Sequence, residues 1–115
     1  MRRGEVRLVD LEPVRGAESN KRRPAVIVSN DRANEAAQLL GRGVVTVVPV
    51  TSNTARVYPF QVFLSKELPG IKVDSKAQAE QVRSIAVERI GTVLGQLPED
   101  VVAAIDRALR LHLDL

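Results

Sequence analysis

The sequence predicts a mainly β fold closed by a C-terminal helix, a small curled β-barrel rather than a parallel α/β fold. Three features of the sequence lead there. Five or more short stretches carry strand patterning. The most apolar runs are rich in valine and isoleucine and are bounded by polar, proline- or glycine-containing segments. Only the last stretch, after Pro98, keeps helical spacing over several turns.

Taken in order, residues 5–11 alternate polar and apolar, as a half-buried strand does. Residues 13–22 form a polar loop with Gly16 and three cations, long for a simple connection. Residues 24–28 read as a strand buried on both faces, with Pro24 at its start, where a missing N–H is tolerated. Asn30 or Asp31 caps a short helix running to Leu40 and ended by Gly41. Residues 44–50 make a second buried strand, and Pro49 places its end at an edge or bulge. Residues 51–59 form a second polar loop and residues 60–64 another strand. Short strands are expected over 71–73 and 76–79, and a last one over 91–97. Pro98 then opens a helix whose Val101, Val102, Ile105, Ala108, Leu109 and His112 share one face.

A chain of 115 residues gives one domain, 1–115, with a modest core. It has no cysteine, which excludes disulfides, thiol catalysis and cysteine-ligated zinc. The N-terminal cations are followed by no apolar run, and the longest near-apolar stretch, residues 44–50, is far short of a membrane span. A cytoplasmic protein with no membrane partner is expected. The net charge is +3, concentrated in residues 1–60, where ten Lys/Arg face six Asp/Glu. Thirteen of the seventeen cations are arginine, whose planar fork of donors suits phosphate, so a polyanionic partner is favoured.

The common catalytic kits are missing. His112 is the single histidine and, on the apolar side of its helix, reads as a packed or capping residue. Cys–His pairs, paired-histidine nucleases and a metal site are not expected, nor is any cofactor. Gly41-Arg42-Gly43 is too short to cradle a phosphate. What remains is the pair of loops beside the two most hydrophobic strands. One ends in Lys21-Arg22-Arg23-Pro24, and the proline holds Arg23 in extended geometry. The other begins Thr51-Ser52-Asn53, directly after its strand. If the two strands pair, a fixed guanidinium and two hydroxyls converge on one mouth of the barrel. That group suits a phosphate and the extra charge of a pentacoordinate phosphorane. Spacing alone fits a solvated basic loop beside ordinary turn residues better than it fits a site.

The order Gly4-Glu5-Val6, Asp10-Leu11, Pro13, Gly16-Ala17-Glu18, Arg23-Pro24-Ala25-Val26, Ser29, Pro49-Val50-Thr51-Ser52, Tyr58-Pro59-Phe60 and Glu80-Gln81-Val82-Arg83-Ser84-Ile85 resembles the MazF/PemK toxin family over nearly the whole chain. The resemblance implies an SH3-like barrel, commonly a homodimer, that cuts single-stranded RNA at short sequences without metal. It assigns the family's essential arginine to Arg23, its essential threonine to Thr51 and its first-loop glutamate to Glu18. The family's Gly-Ser-Glu is Gly16-Ala17-Glu18 here, which keeps the glutamate.

With no metal to activate water, attack by the RNA's own 2′-hydroxyl is the least demanding route, because that nucleophile is already tethered. Arg23 holds the phosphate, Thr51 adds a hydroxyl, and Ser52 assists. The proton acceptor stays open: arginine is a poor base, and Glu18 is more natural if its loop reaches the 2′-hydroxyl. Lys21, Arg22 and Asn53 complete the substrate-binding set. Gln81 and Arg83 either contact RNA or form a polar strand end. Tyr58 either stacks on a base or packs under its own loop. The expected protein partner is an antitoxin with an acidic tail lying over the basic loop. The gyrase-poisoning toxins of the CcdB type share the fold but act through a tryptophan-containing tail, and this chain has no tryptophan. A non-catalytic nucleic-acid-binding barrel is disfavoured by Arg23 and Thr51, and a purely structural one by the basic loop.

Overall fold

The computed structural model describes residues 1–11 and 22–115, so the roles expected of Glu18 and Lys21 lie outside the described residues. The elements run β1 (Glu5–Asp10), β2 (Arg22–Ile27), α1 (Asp31–Leu40), β3 (Val44–Thr51), β4 (Gln61–Leu64), β5 (Ser75–Gln78), β6 (Arg83–Ala86), β7 (Ile90–Gln96) and α2 (Glu99–Leu113). The strands form one antiparallel, curled open sheet in the order β4-β5-β3-β2-β1-β7, with β6 also paired to β3.

β3 organises this sheet. One edge pairs with β2 through Val47, Val48 and Pro49, and the other pairs with β6 through residues 44–47 and with β5 through Val50 and Thr51. Between the two ladders on that second edge the register slips by three residues, taken up by the 3-10 turn Ala79–Gln81. Residues 25–27 of β2 and 47–50 of β3 are buried on both faces, which is why they read as unbroken apolar runs. On one face Val26, Val48, Val50, Leu64, Ala77 and Ile71 pack with Ile105 of α2. On the other, Ala25, Ile27, Val45, Val47 and Ile85 pack with Ala37 of α1.

Several elements differ from the sequence-based expectation. β2 starts at Arg22, not Pro24, because Asp10 and Val9 of β1 pair with Arg22 and Arg23. Pro49 lies inside β3 and is buried; the strand continues past it because Val50 and Thr51 find a new partner in β5. Residues 71–73 form no strand, and Ile71 enters the core from a loop. The expected strand over 76–79 runs Ser75–Gln78, and β6 is an addition to the expected set. His112 is exposed in the last turn of α2, which sets aside the packed reading and leaves the capping one. α1 is capped as expected: the Asn30 side chain accepts a hydrogen bond from the Ala33 amide at 2.8 Å, and Gly41 leaves the helix at φ 67°.

The curl is completed without strand pairing, by backbone contact between the β4–β5 loop and β7. A Cβ on Gly95 would lie 2.6 Å from the Pro69 carbonyl carbon and 2.7 Å from the Gly70 nitrogen. Gly70 itself has φ +85°, and a Cβ there would lie 3.0 Å from the Gly95 nitrogen. No side chain fits between these segments.

Candidate active site

Residues opposite one another in a ladder share a face of the sheet, and alternate residues along a strand do too. Thr51, the last residue of β3, lies opposite Lys76 of β5. Lys76 lies opposite Phe63 of β4. On the other edge of β3 the pairs Ala25↔Pro49, Val26↔Val48 and Ile27↔Val47 define a register which, carried two residues further, brings Arg23 beside Thr51. The hydrogen-bonded ladder stops short of that point because Pro24 and Pro49, which have no N–H, lie where it ends. Arg23 in turn pairs with Val9 of β1. A single row therefore crosses the sheet as Phe63, Lys76, Thr51, Arg23 and Val9.

Arg23 is exposed and Thr51 half-buried. The Thr51 hydroxyl accepts a hydrogen bond from the Asn53 amide at 3.2 Å, and the Asn53 side chain accepts one from the Ala55 amide at 3.3 Å. These two bonds make consecutive tight turns at the strand end. Ser52 and Asn53 are exposed there. Arg83 of β6 lies opposite Val47 and so emerges on the same face as Thr51. Four residues of strand separate their rows, roughly 13 Å at an ordinary rise. Gln81 is exposed on the 3-10 turn between. The face thus offers hydroxyl and guanidinium groups spread over a length suited to several linked phosphates rather than one.

Arg22 does not join this group. As the strand neighbour of Arg23 it emerges on the opposite face, across from Asp10. There it lies against Gly91, where an added Cβ would be 2.8 Å from the Arg22 Nη1. Tyr58 is 42% exposed and its ring stacks on Phe60, with centroids 5.4 Å apart and planes 2° from parallel. It is thus partly packed within its own loop and partly open. Behind the site, Leu8, Pro24, Val50, Ile71 and Leu94 line a largely apolar cavity of about 160 Å³. Pro24 and Val50 face away from Arg23 and Thr51, so that cavity lies on the other face of the sheet from them.

Two residues with no mark in the sequence, Lys76 and Gln61, also belong to the site. Lys76 is only 7% exposed, and its Nζ donates to the Arg56 carbonyl at 2.6 Å. Gln61, 8% exposed, accepts from the Tyr58 amide at 3.1 Å and donates to Glu80 at 2.7 Å. Each acquires its meaning only through the pairing of β5 with β3 and β4.

A curled antiparallel sheet sets Arg23, Thr51 and Arg83 on one face beside a polar loop, an arrangement of donors chemically suited to a polyanion. Residues 2–113 match the family described as PemK-like, MazF-like toxin of type II toxin–antitoxin systems, and the chain belongs to that family. It is 63% identical over 115 residues to a Mycobacterium tuberculosis protein called endoribonuclease MazF9, covering 100% of this chain and 98% of the relative. A second relative from that organism, called probable endoribonuclease MazF1, is 55% identical over 87 residues, 75% of this chain and 94% of the relative. Among solved structures, a MazE-MazF crystal structure from Deinococcus radiodurans superposes with a TM-score of 0.79 at 29% identity, covering 100% of this chain and 96% of that one. These likenesses carry the same curled sheet and terminal helix.

Proposed function

We propose that this toxin is a sequence-selective endoribonuclease that cuts single-stranded RNA without a metal ion, using Arg23 and Thr51 at the scissile phosphate. The enzyme class follows from family membership and from the whole-length likeness to a protein called an endoribonuclease. The observation that carries the residue assignment is the row in which Thr51 has Lys76 on one side and, by continued register, Arg23 on the other.

In the proposed reaction the 2′-oxygen of the RNA forms a bond to the adjacent phosphorus while the bond from phosphorus to the 5′-oxygen breaks. The products are a 2′,3′-cyclic phosphate and a 5′-hydroxyl. The nucleophile is part of the substrate, so proximity supplies much of the rate. Arg23 holds the phosphate and meets the charge that develops on its oxygens, and Thr51 donates its hydroxyl to the same oxygens. Glu18 accepts the 2′-proton, and the 5′-oxygen takes up a proton from water as it leaves. DNA lacks the nucleophile and is not cut. Arg83, Gln81, Ser52, Asn53 and Tyr58 contact the flanking nucleotides, and Lys21 adds charge.

The same exposed cations suit an acidic antitoxin tail, which would compete with RNA for Arg23 and Arg83. A solved relative is described as an endoribonuclease in complex with its cognate antitoxin, in line with that partner. A homodimer is also proposed. Leu39 is 86% exposed, Leu40 66% and Val44 61%, an apolar cluster within six residues of chain. Large exposed apolar patches are of the kind a partner covers.

The test is cleavage of a 5′-labelled mixed-sequence RNA and its DNA copy in EDTA, with Arg23→Ala and Thr51→Ala alongside. Discrete cuts in RNA only, with cyclic-phosphate ends and little activity in either variant, are expected. Equal cutting by the variants would place the site elsewhere.

A further inference from the structure

We infer that Lys76 is a positioning residue: its buried ammonium latches the loop over residues 52–59 across the strand position that presents Thr51, and so sets how tightly and how selectively RNA is held. This rests on the ribonuclease reading above.

The loop runs from the end of β3 to the start of β4 with no helix or strand of its own. Such a segment needs its backbone groups satisfied from outside if it is to keep one shape. Two buried side chains do this. Gln61 accepts from the Tyr58 amide at 3.1 Å and is itself held by Glu80. Lys76 reaches up from β5 to the Arg56 carbonyl at 2.6 Å. A hydrogen bond from an ionised donor is shorter and stronger than a neutral one.

The placement of Lys76 is costly in itself. Its strand position is buried and directly opposite Thr51. A valine or leucine there would strip no water from a charge. What the lysine supplies and an apolar residue cannot is the bond to Arg56. Because Lys76 and Thr51 are cross-strand partners, the latch ties the loop to the same point of the sheet as the reacting phosphate. Ser52, Asn53 and Tyr58 ride on that loop. Releasing it leaves Arg23 and Thr51 in place on their strands but lets the groups that hold flanking nucleotides wander.

The chain has one tyrosine and no tryptophan, so its intrinsic fluorescence reports Tyr58, inside the loop. The experiment compares full-length wild-type protein with Lys76→Met and Lys76→Arg by acrylamide quenching of Tyr58, far-UV circular dichroism on heating, and steady-state RNA cleavage. Lys76→Met is expected to fold cooperatively, to expose Tyr58 to quencher, and to raise KM about tenfold while kcat changes by less than about twofold. It should also cut additional RNA sequences. Lys76→Arg, which keeps a charged donor, is expected to restore most of the Tyr58 protection. Should Lys76→Met fail to fold, Lys76→Gln takes its place with the same readouts. Unchanged Tyr58 quenching in a folded variant, with wild-type protein cleaving RNA normally, overturns the latch and leaves the ribonuclease reading standing. Loss of Tyr58 protection with no cleavage by wild-type protein overturns the ribonuclease reading instead.

Discussion

Thr51 and Lys76 face each other across the β3–β5 ladder, a threonine at the end of one strand against a buried lysine on the next. The pairing exists because β3 outlasts its ladder with β2: prolines end that ladder, and β5 takes over the final two residues on the other edge. Thr51 is thereby held on the sheet rather than in the loop that follows it, which suits a group that must meet developing charge without reorganising.

Arg23→Ala should lower kcat by about 10²–10³-fold, the usual cost of removing one preorganised donor to a developing charge. Arg23→Lys should recover little of it, because a lysine offers a point charge where a planar fork is needed. Single-turnover cleavage of a short RNA measures both, and full activity in Arg23→Lys would argue against a two-pronged contact.

Arg83 shares the face of Thr51 but stands well along it from Thr51, where the reacting phosphate is proposed to lie, so its loss should act on binding rather than chemistry. With an RNA made uncleavable by a 2′-deoxy substitution, Arg83→Ala should bind more weakly. The slope of log affinity against log salt should flatten by about 0.7 for one lost phosphate contact. An unchanged slope would place Arg83 on bases or off the RNA altogether.

Gly95→Ala is expected to destabilise the fold by about 1–3 kcal/mol, because the new methyl meets backbone that cannot move aside. The obstructing atoms are the Pro69 carbonyl carbon at 2.6 Å and the Gly70 nitrogen at 2.7 Å. Gly41→Ala is the useful contrast: nothing lies within 4 Å of its Cβ, so any loss there reflects its φ of +67° alone. Urea unfolding midpoints compare the two, and a Gly95→Ala midpoint equal to wild type would mean the closure is looser than the geometry implies.

Asn34 should matter more than its helix position suggests. It is fully buried, its Nδ2 donates to the Ser29 carbonyl at 2.8 Å, and its Oδ1 accepts from the Ser29 hydroxyl. The same hydroxyl accepts from the Thr46 amide of β3 at 3.0 Å, so the network fastens α1 to the central strand. Asn34→Ala should cost about 2–3 kcal/mol by leaving buried partners unpaired, against about 1 kcal/mol for Asn30→Ala at the exposed cap. Thermal and urea unfolding of the two variants check the ranking; a larger loss at Asn30 would contradict it.

The interior strands and both helices are legible because their patterns are local. Alternation over residues 5–11, the double-sided apolar runs, and caps at Asn30 and Gly41 each follow from a few neighbouring residues. β6 is not legible, because Arg83-Ser84-Ile85-Ala86 has one buried side chain and no recognisable period. It is a strand only because residues 44–47 of β3 offer it an edge. Ile71 misleads for the converse reason: an apolar residue packed from a loop looks like a strand residue until its backbone partners are known. At the site, the Arg-Pro step and the Thr-Ser-Asn turn mark out Arg23 and Thr51. Sequence adjacency groups Arg22 with Arg23, although strand alternation sends the two to opposite faces.

By itself, then, the sequence determined which segments pair or coil, where the positive charge gathers, and the family resemblance that points to RNA; these rest on neighbouring side chains and on the order of motifs. Only the tertiary structure decided that β3 trades β2 for β5 at Pro49, that Lys76 comes to lie under the loop beside Thr51, and that two glycines close the curl. Register is the physical reason. A shift of one residue between strands turns every side chain to the other face, and that alignment is settled by the packing of both cores together, not by any single stretch of chain.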